Sequence, residues 1–406
     1  MIGNFKIIND PVHGFINIPS GLILEIIEHS YFQRLRDIKQ LGLTNLVYPG
    51  ATHSRLLHAL GAMHLMKEAI LSLRAKGVII TEAEEESSLA AILLHDIGHG
   101  PFSHALENNI IRGVSHEEIS LALIRAINVE KGGRLNTALE IFEDKYPKHF
   151  LHQLVSSQLD VDRLDYLKRD SFFSGVAEGM IGLERIIKML YVHNNSLVVE
   201  QKGIYSIEKF LISRRLMYWQ VYLHKTVIAA EQLLIQILRR ARLLTLESAV
   251  LPGSPAISFF LKNSFSPDEL DRKDILDKFT LLDDTDLMSA IKQWQFSGDK
   301  ILSVLCKMLT ARELPKIVLA ATPVDEAAVD EAKEIIISNG KIDPGDVDYF
   351  VQTGEVINSG YDTQEEDIMI LLKDGSIQSV YDISDMLSAK AFSQITKKYF
   401  LCTSKI

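Results

Sequence analysis

With 406 residues, 47% of them hydrophobic and 24% charged, the chain has the composition of an ordinary globular protein of two or three domains. Its formal net charge of -10, from 43 basic and 53 acidic residues, disfavours general nucleic-acid binding and confines any polyanion binding to local basic clusters. Cys306 and Cys402 lie outside any CxxC pattern, no apolar run reaches the roughly 18 residues of a membrane span, and the N-terminus lacks a signal-peptide layout, so a cytoplasmic protein with no membrane partner is expected.

From the N-terminus, residues 5–18 place two β-prone runs around Asn9-Asp10-Pro11 and Gly14, which predicts a hairpin. Apolar residues then recur at three- and four-residue spacing, predicting helices over 21–29, 31–40, 54–76, 82–98, 115–127, 136–144, 150–158, 160–169 and 181–189. A second hairpin is expected over 190–206, then one long helix over 206–247 and further helices across 255–312. Beyond Leu314 the order becomes a β-prone run (316–321), a helix (324–338), two strands (347–356 and 367–373), a helix (383–394) and a strand (396–403). The expected fold is mainly α: a helical core with small β-hairpins, followed by a C-terminal α+β subdomain of ferredoxin-like layout.

The stretch with the clearest chemistry is Leu93-Leu94-His95-Asp96-Ile97-Gly98-His99-Gly100-Pro101-Phe102-Ser103-His104. An apolar helix runs into a histidine and an aspartate, two ionisable groups that are costly to bury unless paired or bound to a metal. Adjacent helix positions point about 100° apart, so an ion touching both needs further ligands from elsewhere. Upstream, Arg55 and His58 share a helical face; a lone histidine there is more often a hydrogen-bonded core residue. Downstream, Asp162, Tyr166, Arg169 and Asp170 form one polar face, a pattern that a solvated amphipathic helix also produces. Taken together, His58, His95, Asp96 and Asp162 make a mixed nitrogen/oxygen set suited to one divalent ion, whether Mn, Fe, Mg, Ni or Zn. Such an ion polarises a phosphoryl oxygen and lowers the pKa of a bound water. His99, His104 and His116 lie close by in sequence and offer general-acid groups, with capping or core-polar roles as the plainer alternative.

The order His58, His95-Asp96, Asp162 is the H…HD…D signature of the HD superfamily of metal-dependent phosphohydrolases. Asn9-Asp10-Pro11-Val12-His13-Gly14, the run from Phe32 to Gly42, Tyr48-Pro49-Gly50-Ala51 and the run from His95 to His104 narrow the likeness. Over about residues 5–230 the chain resembles the deoxynucleoside triphosphate triphosphohydrolases, which include bacterial dGTPase-like enzymes and the vertebrate sterile-alpha-motif and HD-domain enzyme. The resemblance implies a catalytic core over 1–230 with its N-terminal hairpin, leaving a helical extension over 231–314 and the small α+β subdomain over 315–406. It implies that His58, His95, Asp96 and Asp162 hold the metal, that Arg55, His99, His104, Arg163 and Arg214 surround the triphosphate, and that His116 is the catalytic histidine near the α-phosphorus. Gln40, Tyr166 and Asp170 are expected at the deoxyribose and Tyr222 at the sugar or base; Arg163 stands where the vertebrate enzyme has lysine, a change of donor geometry. Asn9, Gln33 and Arg36 match a regulatory nucleotide site, in which Glu28 replaces an aspartate, and a nucleotide activator and a homo-oligomer are expected with it.

The expected activity is metal-dependent hydrolysis of dNTPs to deoxynucleoside and inorganic triphosphate. Two alternatives share the same residues: an HD-type nucleotidase or cyclic-nucleotide phosphodiesterase, and a nucleotide-sensing or scaffold protein without turnover.

Overall fold

A computed structural model describes residues 5–102, 113–340, 342–358, 367–386 and 396–405. The chain opens with the expected hairpin, β1 (Phe5–Asp10) and β2 (Gly14–Pro19), paired antiparallel with Asp10 opposite Gly14. Two short helices follow, α1 (Leu22–Ile27) and α2 (Ser30–Gln33), and the helix expected over 31–40 breaks into α2 and a 3-10 turn at Arg34–Asp37. The break lets Arg34 turn inward, where its guanidinium donates to the carbonyls of Ile97 and His99.

The core pair is α3 (Arg55–Ala75) and α4 (Glu82–Leu94), packed against each other. Both bury residues on every side, as helices at a domain centre must. The N-terminus of α4 is fixed by a reciprocal cap between Thr81 and Glu84. Its helical ladder stops at Leu94, short of the expected 98, because α5 (His116–Glu130) takes over the end: Ser120 Oγ donates to the His95 carbonyl and accepts from Gly98 N. Gly98 is required there, since a Cβ would sit 2.2 Å from the His116 carbonyl oxygen.

After α6 (Asn136–Phe142) and α7 (His149–Val155), α8 (Val161–Ser174) packs on α3, its first turn capped by the Asp160 side chain. Next come α9 (Leu183–Met189), the hairpin β3 (Leu190–His193) and β4 (Ser196–Glu200), and α10 (Ile204–Met217). The single helix expected over 206–247 is interrupted by a π-helical turn at Tyr218–Tyr222, after which His224 caps α11 (Lys225–Leu246). Apolar periodicity continues across the break, but the wider turn aims Tyr222 at Asp170; such π-turns often mark functional sites.

The extension comprises α12 (Pro255–Lys262), α13 (Lys273–Phe279), α14 (Asp284–Trp294) and α15 (Lys300–Thr310). Asp284 at the start of α14 accepts from Phe102 N (2.7 Å) and Lys39 N (3.0 Å), clamping the loop that leaves α4.

The C-terminal region is α+β as expected, with β5 (Lys316–Ala320), α16 (Glu326–Gly340), β6 (Val351–Asn358), β7 (Met369–Leu371), β8 (Ile377–Ser379), α17 (Val380–Ile383) and β9 (Thr396–Thr403). Its strands do not form one ferredoxin-like sheet. β5, β9 and β6 make a three-stranded antiparallel sheet, while β7 pairs in parallel with β4 and extends the core hairpin into the order β3-β4-β7-β8. Of the helix expected over 383–394, only the first residue is helical, as the end of α17, and 387–394 lie outside the described residues. No helix among the described residues is long and apolar enough to cross a membrane.

Glu84 joins the start of α4 to the rest of the core, accepting from Tyr146 Oη (2.8 Å), Lys148 Nζ (2.7 Å) and Thr81 N (2.8 Å). Burial opposes its ionisation, but these donors win and hold its carboxyl at about 2. The folded state therefore gains stability above the ordinary carboxylate pKa, and that gain is lost as pH falls from there through about 2. Glu84→Gln is expected to lower stability by about 2 kcal/mol at pH 7. Thermal melts of the two proteins should converge as the pH is lowered from 5 towards 2.

Candidate metal centre and adjoining cavity

Four side chains from three elements converge where α3, the end of α4 and the start of α8 meet. His58 Nε2 lies 2.9 Å from Asp162 Oδ1 and 3.9 Å from Asp96 Oδ2; His95 Nε2 lies 3.4 Å from Asp162 Oδ1 and 3.5 Å from Asp96 Oδ1. The ligand atoms of His58, His95 and Asp162 all fall within 4.8 Å of one another. Both imidazoles are oriented from behind. His58 Nδ1 donates to Asp165 Oδ2 (2.8 Å) and His95 Nδ1 to the Ile92 carbonyl (2.6 Å), which turns each Nε2 toward the shared centre. Those two Nε2 atoms are buried and make no hydrogen bond despite the nearby carboxylates.

This set fits a divalent cation: two buried imidazole nitrogens without a hydrogen bond, aimed at two carboxylates, satisfy the nitrogen/oxygen demand of such an ion. Burial opposes protonation of His58, yet the Asp162 and Asp165 carboxylates pull its pKa up to about 10, so an entering cation replaces a proton. Burial likewise opposes ionisation of Asp162 and Asp96, but the neighbouring histidines, joined by Arg55 at Asp96, hold both carboxyls well below the usual carboxylate range.

Behind these four side chains lies a layer that the sequence pattern did not reveal. Asp165, fully buried, accepts from His58 Nδ1, from His13 Nε2 (2.6 Å) and from Arg169 Nε (2.8 Å), while Arg169 Nη1 donates to Asp10 Oδ2 (2.8 Å). Arg169, read from sequence as part of one polar face, is wholly buried. The one available signal was that charged residues encircle the start of α8 on more than one face. Gly61 on α3 makes room for this layer: a Cβ there would sit 2.1 Å from Asp165 Oδ1 and 2.2 Å from Arg169 Nη2.

A cavity of about 450 Å³ opens from the centre. Of the expected site residues, Gln40, Arg55, Asp96, His99, His116, Asp162, Tyr166, Asp170 and Tyr222 all line it. Arg55 donates to Asp96, and His99 is stacked on His116 with ring centroids 3.9 Å apart. Burial and the Arg55 charge push the His99 pKa well down, leaving it neutral. Asp170 accepts from His53 Nε2 and Tyr222 Oη, both at 2.8 Å, and Gln40 Oε1 is buried without a hydrogen bond. Arg163 and Arg214 are not in the cavity wall: Arg163 is held by Asp160 and the Ser157 carbonyl, and Arg214 donates to Gln158 Oε1 at 3.0 Å. Both charges still act on Tyr166. His104 lies outside the described residues.

None of the expected regulatory residues lines this cavity. Asn9 is exposed on β1, Glu28 pairs with Lys6 at 2.5 Å, and Arg36 donates to Gln33 Oε1 at 3.0 Å.

Elemental analysis of the purified protein is expected to give one divalent ion per chain. A count of two would bring in the second grouping of donors, Asp96, His99 and His116. Asp165→Asn is expected to weaken metal binding about 10- to 100-fold, since the ion's imidazole ligand loses its orienting acceptor; titration with Mn(II) measures this.

A family model for the HD domain matches residues 55–170, and one for the HD associated region matches 181–249. A crystal structure of a phosphohydrolase from Bacteroides thetaiotaomicron superposes with a TM-score of 0.96 at 51% identity, covering 99% of this chain and all of that one. YwfO of Bacillus subtilis, itself uncharacterized, is 33% identical over 316 residues, 76% of this chain and 71% of that protein. The deoxynucleoside triphosphate triphosphohydrolase SAMHD1 homolog of Dictyostelium discoideum is 33% identical over 239 residues, 54% of this chain and 46% of that protein, so the match spans about half of each. With the H…HD…D residues gathered at one point and relatives of this similarity along most of its length, the chain belongs to the HD-domain phosphohydrolases.

Proposed function

We propose that the protein hydrolyses deoxynucleoside triphosphates to deoxynucleoside and inorganic triphosphate. The observation that supports this reading best is the layout of the cavity along α8. Asp162 at the metal end and Asp170 at the other are about two helical turns apart, about 12 Å along the axis, which leaves room for a phosphate and a sugar between them. Between and around them Gln40, Tyr166, Asp170 and Tyr222 offer ring faces, a buried amide acceptor and a carboxylate, the chemistry that a deoxyribose with one free hydroxyl requires.

A divalent ion held by His58, His95, Asp96 and Asp162 supplies Lewis acidity and a water of lowered pKa when bound. Arg55, buried beside Asp96, supplies fixed positive charge where the triphosphate lies. In the reaction, water adds to the α-phosphorus and the bond to the 5′-oxygen breaks; that oxygen needs a proton as it leaves. His116, in the cavity wall and stacked on neutral His99, delivers it from Nδ1 or Nε2. A nucleotide bound near Asn9, Glu28, Gln33 and Arg36, within a homo-oligomer, regulates this activity.

Purified protein incubated with each dNTP and Mn(II) or Mg(II), singly and in pairs, is expected to release triphosphate; monophosphate with pyrophosphate, or no turnover, would overturn the reading. His116→Ala should lower kcat by about 10²- to 10⁴-fold while retaining metal. His95→Ala and Asp96→Ala should lose metal and activity together, as elemental analysis beside the phosphate assay would report.

A further inference from the structure

A second cavity, of about 490 Å³, has no part in the chemistry above, and none of the metal-centre side chains lines it. One wall is a face of α11 that runs from Ile235 to Leu246, its residues recurring at three- and four-residue spacing. Opposite stand α12 and the first turn of α14, with Phe260 and Leu287 buried. Pro101 also lines it, and the next residue, Phe102, lines the metal-side cavity, so the two cavities share one loop. Leu243 and Leu246 are 39% and 61% exposed, which leaves much of this apolar wall open to water.

The lining is mostly aliphatic. Its polar side chains are Arg239, Arg242, Ser264 and Tyr349, and no carboxylate is among its described lining residues, in a chain of net charge -10. Arg239 and Arg242 stand one helical turn apart on the same face of α11. Arg239 is exposed, lies 5.2 Å over the Tyr349 ring and reaches the neutral Gln236 Oε1 at 3.5 Å. Stacking occupies the face of a guanidinium and leaves its N–H edge for an anion. Arg242 Nη2 donates to the Asn263 carbonyl and to Ser264 Oγ, two neutral acceptors that hold this charge beside the cavity.

We propose that this cavity binds a fatty acid, with the alkyl chain along the aliphatic wall and the carboxylate between Arg239 and Arg242. Its volume lies within the range of small-molecule sites, roughly 300–1,000 Å³. Charge complementarity selects the head group: two cations, with no lining carboxylate, favour an anion over a neutral or cationic amphiphile. The walls select the tail. A nucleobase needs donors and acceptors along its edge, whereas Leu and Ile side chains offer an alkyl chain all the contact it requires.

Calorimetric titration of the purified protein with octanoate, decanoate, dodecanoate and dodecanol, each kept below micelle formation, tests this. One dodecanoate should bind per chain, and dodecanol, which lacks the charge, at least about tenfold more weakly. Decanoate should bind roughly tenfold more tightly than octanoate, the effect of two buried methylenes. Arg239→Gln combined with Arg242→Gln should weaken dodecanoate at least about tenfold and leave dodecanol unchanged, with melting temperature checked for each variant. Leu243→Trp, which adds bulk from an exposed position, should weaken both ligands and keeps the test independent of the Arg242 contacts. Absent or unsaturable dodecanoate binding, equal binding of acid and alcohol, or affinities unmoved by these substitutions overturn the proposal. So does a dGTP affinity that Leu243→Trp abolishes, which makes this a nucleotide pocket, or a concentration-dependent dimer that it dissociates, which makes it an interface between copies.

Discussion

The site depends on one buried carboxylate, that of Asp165. It accepts from His58, His13 and Arg169 with no exposure to solvent. Burying a charge of this kind is tolerable only when its lone pairs are filled, and removing one partner from such a group typically costs about 3–5 kcal/mol. Filling them does more than balance charge. The contact to His58 fixes which imidazole nitrogen carries the proton and leaves the other facing Asp96 and Asp162. Burial opposes ionisation of Asp165, but Arg169 and the two histidines hold its carboxyl well below the usual range, so this acceptor persists across ordinary pH.

The loop beyond α4 is held just as firmly from outside. Arg34 binds the carbonyls of Ile97 and His99, Ser120 bridges His95 and Gly98, and Asp284 takes the amide of Phe102. Phe102 itself sits at a φ of 53°, a conformation uncommon for a residue with a side chain, and such a backbone persists where surrounding contacts over-determine it. Buried charge, a terminated helix and an unusual backbone all occur within the eight residues from His95 to Phe102, where local preference gives way to the positions required of the side chains.

The four converging side chains were legible in the sequence because their types have few other uses when buried together, and the mainly helical architecture was legible because its periodicity is strong. Asp165 and Arg169 were not, for a physical reason: a helical period separates polar from apolar faces but does not tell a face that meets water from one that meets another buried charge. The π-turn at Tyr218–Tyr222 was invisible because the apolar rhythm runs on through it. The division of the C-terminal strands was equally hidden. β7 joins β4 by pairing Val199 with Ile370 and Glu200 with Leu371, contacts set by tertiary packing and unmarked in either segment.

The Asn9-Asp10-Pro11-Val12-His13-Gly14 segment takes on a defined meaning once the Asp165 cluster is seen. It lies in the turn of a two-stranded hairpin, outside the cavity wall, yet its two faces divide between surface and core. Asn9 points to solvent, whereas Asp10 is buried, folds the turn by accepting from Val12 N and His13 N at 2.8 Å, and binds Arg169 with its other oxygen. That turn presents His13 to Asp165. From the hairpin surface to His58 the path therefore runs through two buried side chains, His13 and Asp165, joined by hydrogen bonds of 2.6 and 2.8 Å. Packed interiors do not deform smoothly, so a displacement of the turn that breaks His13 from Asp165 leaves a buried carboxylate underfilled and loosens the orientation of His58 at once. The hairpin thus helps to set the orientation of His58, although its turn lies far in sequence from the residues that line the cavity.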